Sequence, residues 1–300
     1  MRSLFAVVGL ACLFVSFGSA QNMARPMLED NAAKVSDHVW VMTGFPNIAI
    51  VVGDTGTLVV DTGLGPRNGA VVAQVAQRLS KGSKLFLTTT HFHPEHTGGE
   101  AGFPANTILI RPAVQQAEMV KSGDQMVETF SKMNAQNAEL LKGVKMHAPD
   151  VTFDSEAKIE LGGGVTVRLL WFGAAHTRGD ELIFVDPDRT LVSGDVVQNK
   201  VVPTVTGEGS ASSWLAVLDK IAPLGARTVV PDHSPVGDGS LVAAERAFIA
   251  DARSRALALK AQGVPADAAG KQMVEEFKAK YPDWANMAPL ARFVQSIYAE

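Results

Sequence analysis

Apolar and polar positions change period along the chain, and each change marks an element. Short runs of alternating or unbroken apolar residues over 38–42, 48–52 and 57–60 predict β-strands. The last two are joined by Gly53-Asp54-Thr55-Gly56, a hairpin signal. Over 69–79 the spacing becomes helical, with Val71, Val72, Val75, Ala76 and Leu79 on one face. Strand-like runs return at 84–88 and 107–110, and 113–141 reads as helix interrupted near Ser122-Gly123. A second set of strands is expected over 158–161, 165–171, 181–185 and 190–192, with another ending at Val229-Val230. Gly162-Gly163-Gly164 is a hairpin turn and not a phosphate loop, because no Lys-Ser/Thr pair follows it and no helix opens after it. Beyond Ser240 the pattern is helical, over 241–262, 266–280 and 284–298. Strand-helix-strand order repeated in two similar halves predicts an α/β fold, a four-layer αββα sandwich with a C-terminal helical extension. Those last helices could cover a sheet face, form a lid or mediate dimerisation, and no pattern specifies the oligomeric state.

The first residues differ from everything after them. Arg2, an apolar run from Leu4 to Phe17 and the small residues Gly18-Ser19-Ala20 have the grammar of a secretory signal peptide cleaved after Ala20. The run is shorter than the roughly 20 apolar residues a spanning helix needs, so the mature protein is expected to be periplasmic or secreted and free of the membrane. Cys12 is the only cysteine and would leave with this leader, so any metal must be held by nitrogen and oxygen. Loss of Arg2 leaves 26 cationic against 31 acidic side chains, a formal charge of −5 with no basic tract. Nucleic acid is therefore excluded as a partner, and a small-molecule substrate is the expected one.

Chemistry concentrates in one segment. Of seven histidines in 300 residues, three fall within the six positions of His91-Phe92-His93-Pro94-Glu95-His96, together with a carboxylate. His91 and His93 follow a strand at i and i+2, so both point one way while Phe92 points the other. Pro94 suits the first turn of a helix, which would carry Glu95 and His96 into the same space. Such convergence is what a metal centre requires. Two further histidines stand in polar loops after apolar strands: His176 in Gly173-Ala174-Ala175-His176-Thr177-Arg178-Gly179-Asp180, and His233 in Pro231-Asp232-His233-Ser234. Asp195 stands in the same way at the end of Leu191-Val192-Ser193-Gly194. Strand ends hold side chains rigidly yet leave them open to a cleft. Arg178 and Asp180 could brace the His176 loop as an ion pair, or Arg178 could meet the substrate. His38, in the first strand, and His147, before Pro149, match no motif and are expected to be structural and solvated, respectively.

The order His91-x-His93-x-Glu95-His96, His176, Asp195, His233 resembles the ligand series of the metallo-β-lactamase superfamily, and Asp61-Thr62-Gly63 resembles its early turn. The resemblance runs from about Val39 to Ser234 and implies a metallo-β-lactamase-type domain over 21–240, between the leader and the helices of 241–300. Carried over residue by residue, it implies that His91, His93 and His176 hold one metal and that Glu95, His96 and His233 hold a second. Asp195 would bridge the two, with Glu95 and Asp195 closest to the chemistry and Asp61 orienting a ligand. Two Zn²⁺ per chain suit such a donor set, with iron or manganese as alternatives. The implied activity is hydrolysis of a lactam, lactone or ester carbonyl by metal-activated hydroxide, including β-lactam hydrolysis. The alternatives within the same resemblance are a mononuclear-iron sulfur dioxygenase and a non-catalytic periplasmic metal-binding accessory protein. Glu95 stands where the family usually has aspartate, and Asp232 and Ser234 flank His233 where a glycine is usual. Asp232 could then support a ligand or lie at the surface.

Overall fold

The computed structural model describes residues 27–206 and 209–300, so the leader expected over 1–20 lies outside the described residues. Seven strands form one sheet in sequence order: β1 (Ala33–Lys34), β2 (Val39–Met42), β3 (Ile48–Val52), β4 (Gly56–Val60), β5 (Lys84–Thr88), β6 (Ile108–Pro112) and β7 (Val151–Phe153). The first four pair antiparallel and the rest parallel. A six-stranded sheet runs in the order β13 (Gly237–Asp238), β12 (Thr228–Pro231), β11 (Thr190–Gly194), β10 (Leu182–Asp186), β9 (Val165–Leu170) and β8 (Glu156–Gly162). Only its β11–β12 pair is parallel.

The sheets lie face to face, and the period of two decides which side chains meet. Ala49 and Val51 of β3 pack between the sheets with Val167, Ile183 and Val185, while Ile48, Ile50 and Val52 pack on the far side against α1 (Pro66–Leu79). In the second sheet Leu182 and Phe184 of β10 face outward, where α5 (Ala211–Ile221) and α6 (Ser240–Ala261) cover them. Both faces of the central strands are dry, which is why they read as unbroken apolar runs. Helix, sheet, sheet, helix is the αββα sandwich the sequence predicts.

The short strands β1, β7 and β13 are absent from the sequence reading, since no apolar run marks them, and three helical elements depart from it. α3 (Ala113–Met133) runs straight through Ser122-Gly123, because Gly123 is buried against Met119 and Met146, where a Cβ would sit 3.3 and 3.5 Å from their side chains. The break falls at Asn134, whose side chain accepts from the Asn137 N–H and caps α4 (Ala135–Leu140). α5 is absent from the sequence reading, although Ser210 and Ser213 form a reciprocal cap and Trp214, Val217, Leu218 and Ile221 make one buried stripe. The last helix, expected from 284, begins at Leu290: Pro289 has no N–H to continue a helix and sits at its start. α6, α7 (Ala266–Lys280) and α8 (Leu290–Ala299) join α5 and the outer face of the second sheet in a single apolar cluster, in which Trp214, Phe248 and Phe293 are fully buried.

Candidate metal centre

β5 delivers the hexad. Thr88 ends the strand, residues 89–93 leave the sheet edge, and Pro94 opens the short helix α2 (Pro94–Thr97) with His93 at its cap. Asp61 and Thr62, directly after β4, hold this segment from the neighbouring strand. The Asp61 carboxylate accepts from the Thr90 N–H at 2.7 Å, and Thr62 donates to the His96 carbonyl from its N–H at 3.0 Å and its hydroxyl at 2.8 Å. Parallel pairing of β4 with β5 sets these two turns side by side. Asp61 has φ of 71°, a left-handed conformation that aspartate tolerates better than most residues.

The structure brings the predicted residues together from four strand ends. His91, His93 and His176 each offer a nitrogen within 4.8 Å of the others, and so do the donor atoms of His96, Asp195 and His233. Asp195 lies between the two groups, Oδ2 3.4 Å from His176 Nε2 and Oδ1 3.5 Å from His233 Nε2. Glu95 groups with His91 and His96, its Oε1 3.6 Å from His96 Nε2. His91, His93, Glu95, His96 and His176 are buried, whereas Asp195 and His233 are partly open.

Each ring is aimed by what its other nitrogen meets. His176 Nδ1 lies 2.6 Å from the Thr204 carbonyl, which accepts its proton and leaves Nε2 facing Asp195. His96 Nδ1 lies 3.1 Å from Asp61 and 3.3 Å from Asp232, leaving Nε2 toward Glu95. Asp232 is therefore a buried support for His96 and not a surface group; it also accepts from the Thr90 hydroxyl at 2.8 Å. Thr90 serves both carboxylates, its N–H going to Asp61 and its hydroxyl to Asp232, a role its place directly before His91 signals only in retrospect. The His176 loop is braced by Asp180, whose carboxylate accepts from the N–H groups of Ala175 and Thr177 and from the Thr177 hydroxyl. His38 pairs with Asp188 at 2.6 Å, far along the sheet, as a structural contact.

Electrostatics favour neutral nitrogens at His91 and His93 and ionised oxygens at Glu95 and Asp195, and set His96 apart among carboxylates. Burial, then the neighbouring imidazoles, pushes His91 well below its ordinary pKa, and burial takes His93 down to about 3. Burial opposes ionisation of Glu95 and Asp195 too, yet the surrounding imidazoles outweigh it and hold both carboxyls below their ordinary values. Burial also works against a charged His96, but Asp61, Asp232 and Glu95 together raise it well above. Among the described residues, Glu95 Oε2 and His96 Nε2 are buried polar atoms with no hydrogen-bond partner. An unsatisfied buried polar atom costs about 1–3 kcal/mol, and a divalent cation would satisfy both while drawing charge-compensated ligation from the rest.

Imidazoles and carboxylates converging at strand ends of an αββα sandwich form a site suited to a divalent metal ion. Residues 41–233 match the family model described as the metallo-beta-lactamase superfamily, and the chain belongs to that superfamily. It is 25% identical over 210 residues to a linear primary-alkylsulfatase from Pseudomonas sp. (strain ATCC 19151), covering 59% of this chain and 39% of that protein. The chain thus spans well under half the length of this curated relative. A metallo-beta-lactamase from Pontibacter korlensis superposes with a TM-score of 0.57 at 22% identity, covering 75% of this chain and 100% of the other. The stereoselective inverting sec-alkylsulfatase Pisa1 from Pseudomonas sp. superposes with a TM-score of 0.64 at 16% identity, covering 89% and 49%. At these identities the superpositions establish the fold.

Proposed function

We propose that the chain is an exported hydrolase that holds two divalent cations, zinc in both sites, and cleaves a lactam, lactone or ester. The observation that carries this reading is Asp195, an ionised carboxylate placed between two imidazole groups, 3.4 Å from one and 3.5 Å from the other. His91, His93 and His176 would hold one cation, Glu95, His96 and His233 the second, with Asp195 reaching both. When bound, such a pair lowers the pKa of water toward neutrality and polarises a substrate oxygen. The chain's own residues supply the rest: Glu95 and Asp195 are the carboxylates beside the reacting water that can take up its proton, and Asp61, Asp232 and Thr204 keep the imidazoles from turning. A groove of about 320 Å³ along one face of α3, lined by Phe92, Val114, Met126, Arg178 and Thr206, supports a small-molecule substrate. It adjoins the site where the Thr206 hydroxyl lies 3.4 Å from His93 Nε2.

An alkyl sulfate ester is the second reading, favoured by the relative that is 25% identical over 210 residues. Metal analysis of protein purified without added metal, followed by a panel of β-lactams, lactones, aryl esters and alkyl sulfates, tests both. Two zinc per chain and hydrolysis lost in His91→Ala are expected. One iron per chain, or hydrolysis unchanged in His91→Ala, would sink the proposal. Glu95→Asp, which shortens the reach to the second site by one methylene, is expected to tighten the second cation and alter turnover.

A further inference from the structure

We propose that Gln198 is the positioning residue of the second cation site, setting Asp195 and His233 at once and tying them to helix α6. The inference rests on the metal-binding reading above. Gln198 follows β11 and is buried. Its Oε1 accepts from the Ser234 hydroxyl at 2.6 Å and from the His233 N–H at 3.3 Å. The Ser234 hydroxyl oxygen itself accepts from the Asn199 N–H at 2.7 Å, leaving its proton for Gln198. The His233 backbone N–H can only donate, so the amide oxygen faces it and the NH₂ group points the other way. There it donates to Asp195 Oδ1 at 2.7 Å and to the Gly194 carbonyl at 3.3 Å.

One planar group therefore spans the loop that carries Asp195 and the loop that carries His233. Oδ1 is also the Asp195 oxygen nearest His233, while Oδ2 is the one nearest His176. A donor fixed on Oδ1 stops rotation of the carboxylate and keeps each oxygen on its own side. The His233 loop is pinned from behind by Asn47, which donates to the Pro231 and Ser234 carbonyls at 2.8 and 2.9 Å, so Gln198 supplies the restraint from the site side. Gln198 in turn gives its backbone N–H to Glu245 of α6 at 3.4 Å. First-site residues His91, His93 and His176 have no contact with Gln198 among the hydrogen bonds of the described residues, and the Asp195 oxygen that Gln198 holds is the one nearest His233, so the larger effect falls on the second site.

A buried glutamine that merely satisfied its own hydrogen bonds would affect stability and leave metal affinity alone. Metal-free full-length protein, titrated with Zn²⁺ against a chromophoric chelator and with Co²⁺ by visible absorption, separates the two. In Gln198→Met the second cation should bind about 10–100-fold more weakly, the first within about twofold of wild type, and the Co²⁺ bands of the second site should change shape. Gln198→Glu, which keeps the volume and when ionised cannot donate to Asp195, should show the same selective loss at a pH where that carboxyl is ionised. Should Gln198→Met fail to fold, Gln198→Glu and Ser234→Ala carry the test, the latter with a smaller loss because only the lock on the amide is removed. A variant that lowers thermal stability while binding both cations as wild type does, or that weakens both equally, overturns the assignment. Wild-type protein that takes up a single cation overturns the two-cation reading along with it, whereas two cations in wild type and unchanged variants overturn the Gln198 assignment alone.

Discussion

Glu245 shows how much a single buried side chain can hold in reserve. It is fully buried in α6, accepts the Gln198 N–H and has one carboxylate oxygen without a partner among the described residues. Burial, with only partial relief from Gln198 and added repulsion from Asp195, raises its pKa well above the ordinary 4.5. The folded chain thus keeps a proton that the unfolded chain releases, so the contribution is intact below the ordinary value and lost as pH rises toward the folded one. Glu245→Gln, neutral at every pH, should match wild type in Tm near about pH 4 and exceed it increasingly toward about pH 8; a constant difference across that range would show that the carboxyl is not protonated in the fold. At this scale the sequence is informative about donors and silent about their supports. His91, His93, Glu95, His96, His176, Asp195 and His233 announce themselves by type and spacing, and the structure brings all seven to one place. Thr90, Asp232 and Gln198 carry no such signature, because a threonine, an aspartate or a glutamine becomes a support through partners such as Asp61, Asp232 and Ser234, which lie 29, 142 and 36 positions away along the chain from the residues they meet.

Elements read well where one face of an amphipathic segment is buried and poorly where packing overrides local preference. The central strands of both sheets and α1 follow their apolar period closely, and α3 does not break at Gly123, which packs against Met119 one turn earlier and against Met146 of the later loop and so offsets the roughly 1 kcal/mol propensity cost of an internal glycine. α5 is the informative case. Its stripe ends in the fully buried Trp214, whose indole N–H donates to the Val196 carbonyl at 2.9 Å and whose ring lies 6.4 Å from both His176 and Phe293. It therefore links the helix layer to the loop that carries His176. Trp214→Ala should cost about 3–5 kcal/mol in urea unfolding and loosen the first metal site through His176. A loss under about 1 kcal/mol would show that the surrounding helices close the cavity.

For the molecule as a whole, the helices after residue 239 behave as the outer layer of the sandwich. Phe248, Ile249, Phe293 and Ile297 share one cluster with Phe184, Leu191 and Val229 of the second sheet, and Trp284 stacks on Phe248 with ring centroids 4.0 Å apart. A chain shortened after Gly239 should lose cooperative unfolding and bind an apolar dye, because at about 25 cal/mol per Å² an uncovered sheet face forfeits many kilocalories; a shortened chain that unfolds cooperatively with both cations bound would make the helices an independent unit. The sequence by itself determined the alternation of strands and helices, the layered class and the seven donors, because periodicity and residue type are local properties written in consecutive positions. Only the tertiary structure decided where α3 ends and the last helix begins, that α5 exists, that Glu95 groups with His91 and His96, and that Asp232 and Gln198 pack behind the candidate donors. Those outcomes depend on which surfaces meet across the sandwich, and that meeting is fixed by packing between segments that the sequence keeps far apart.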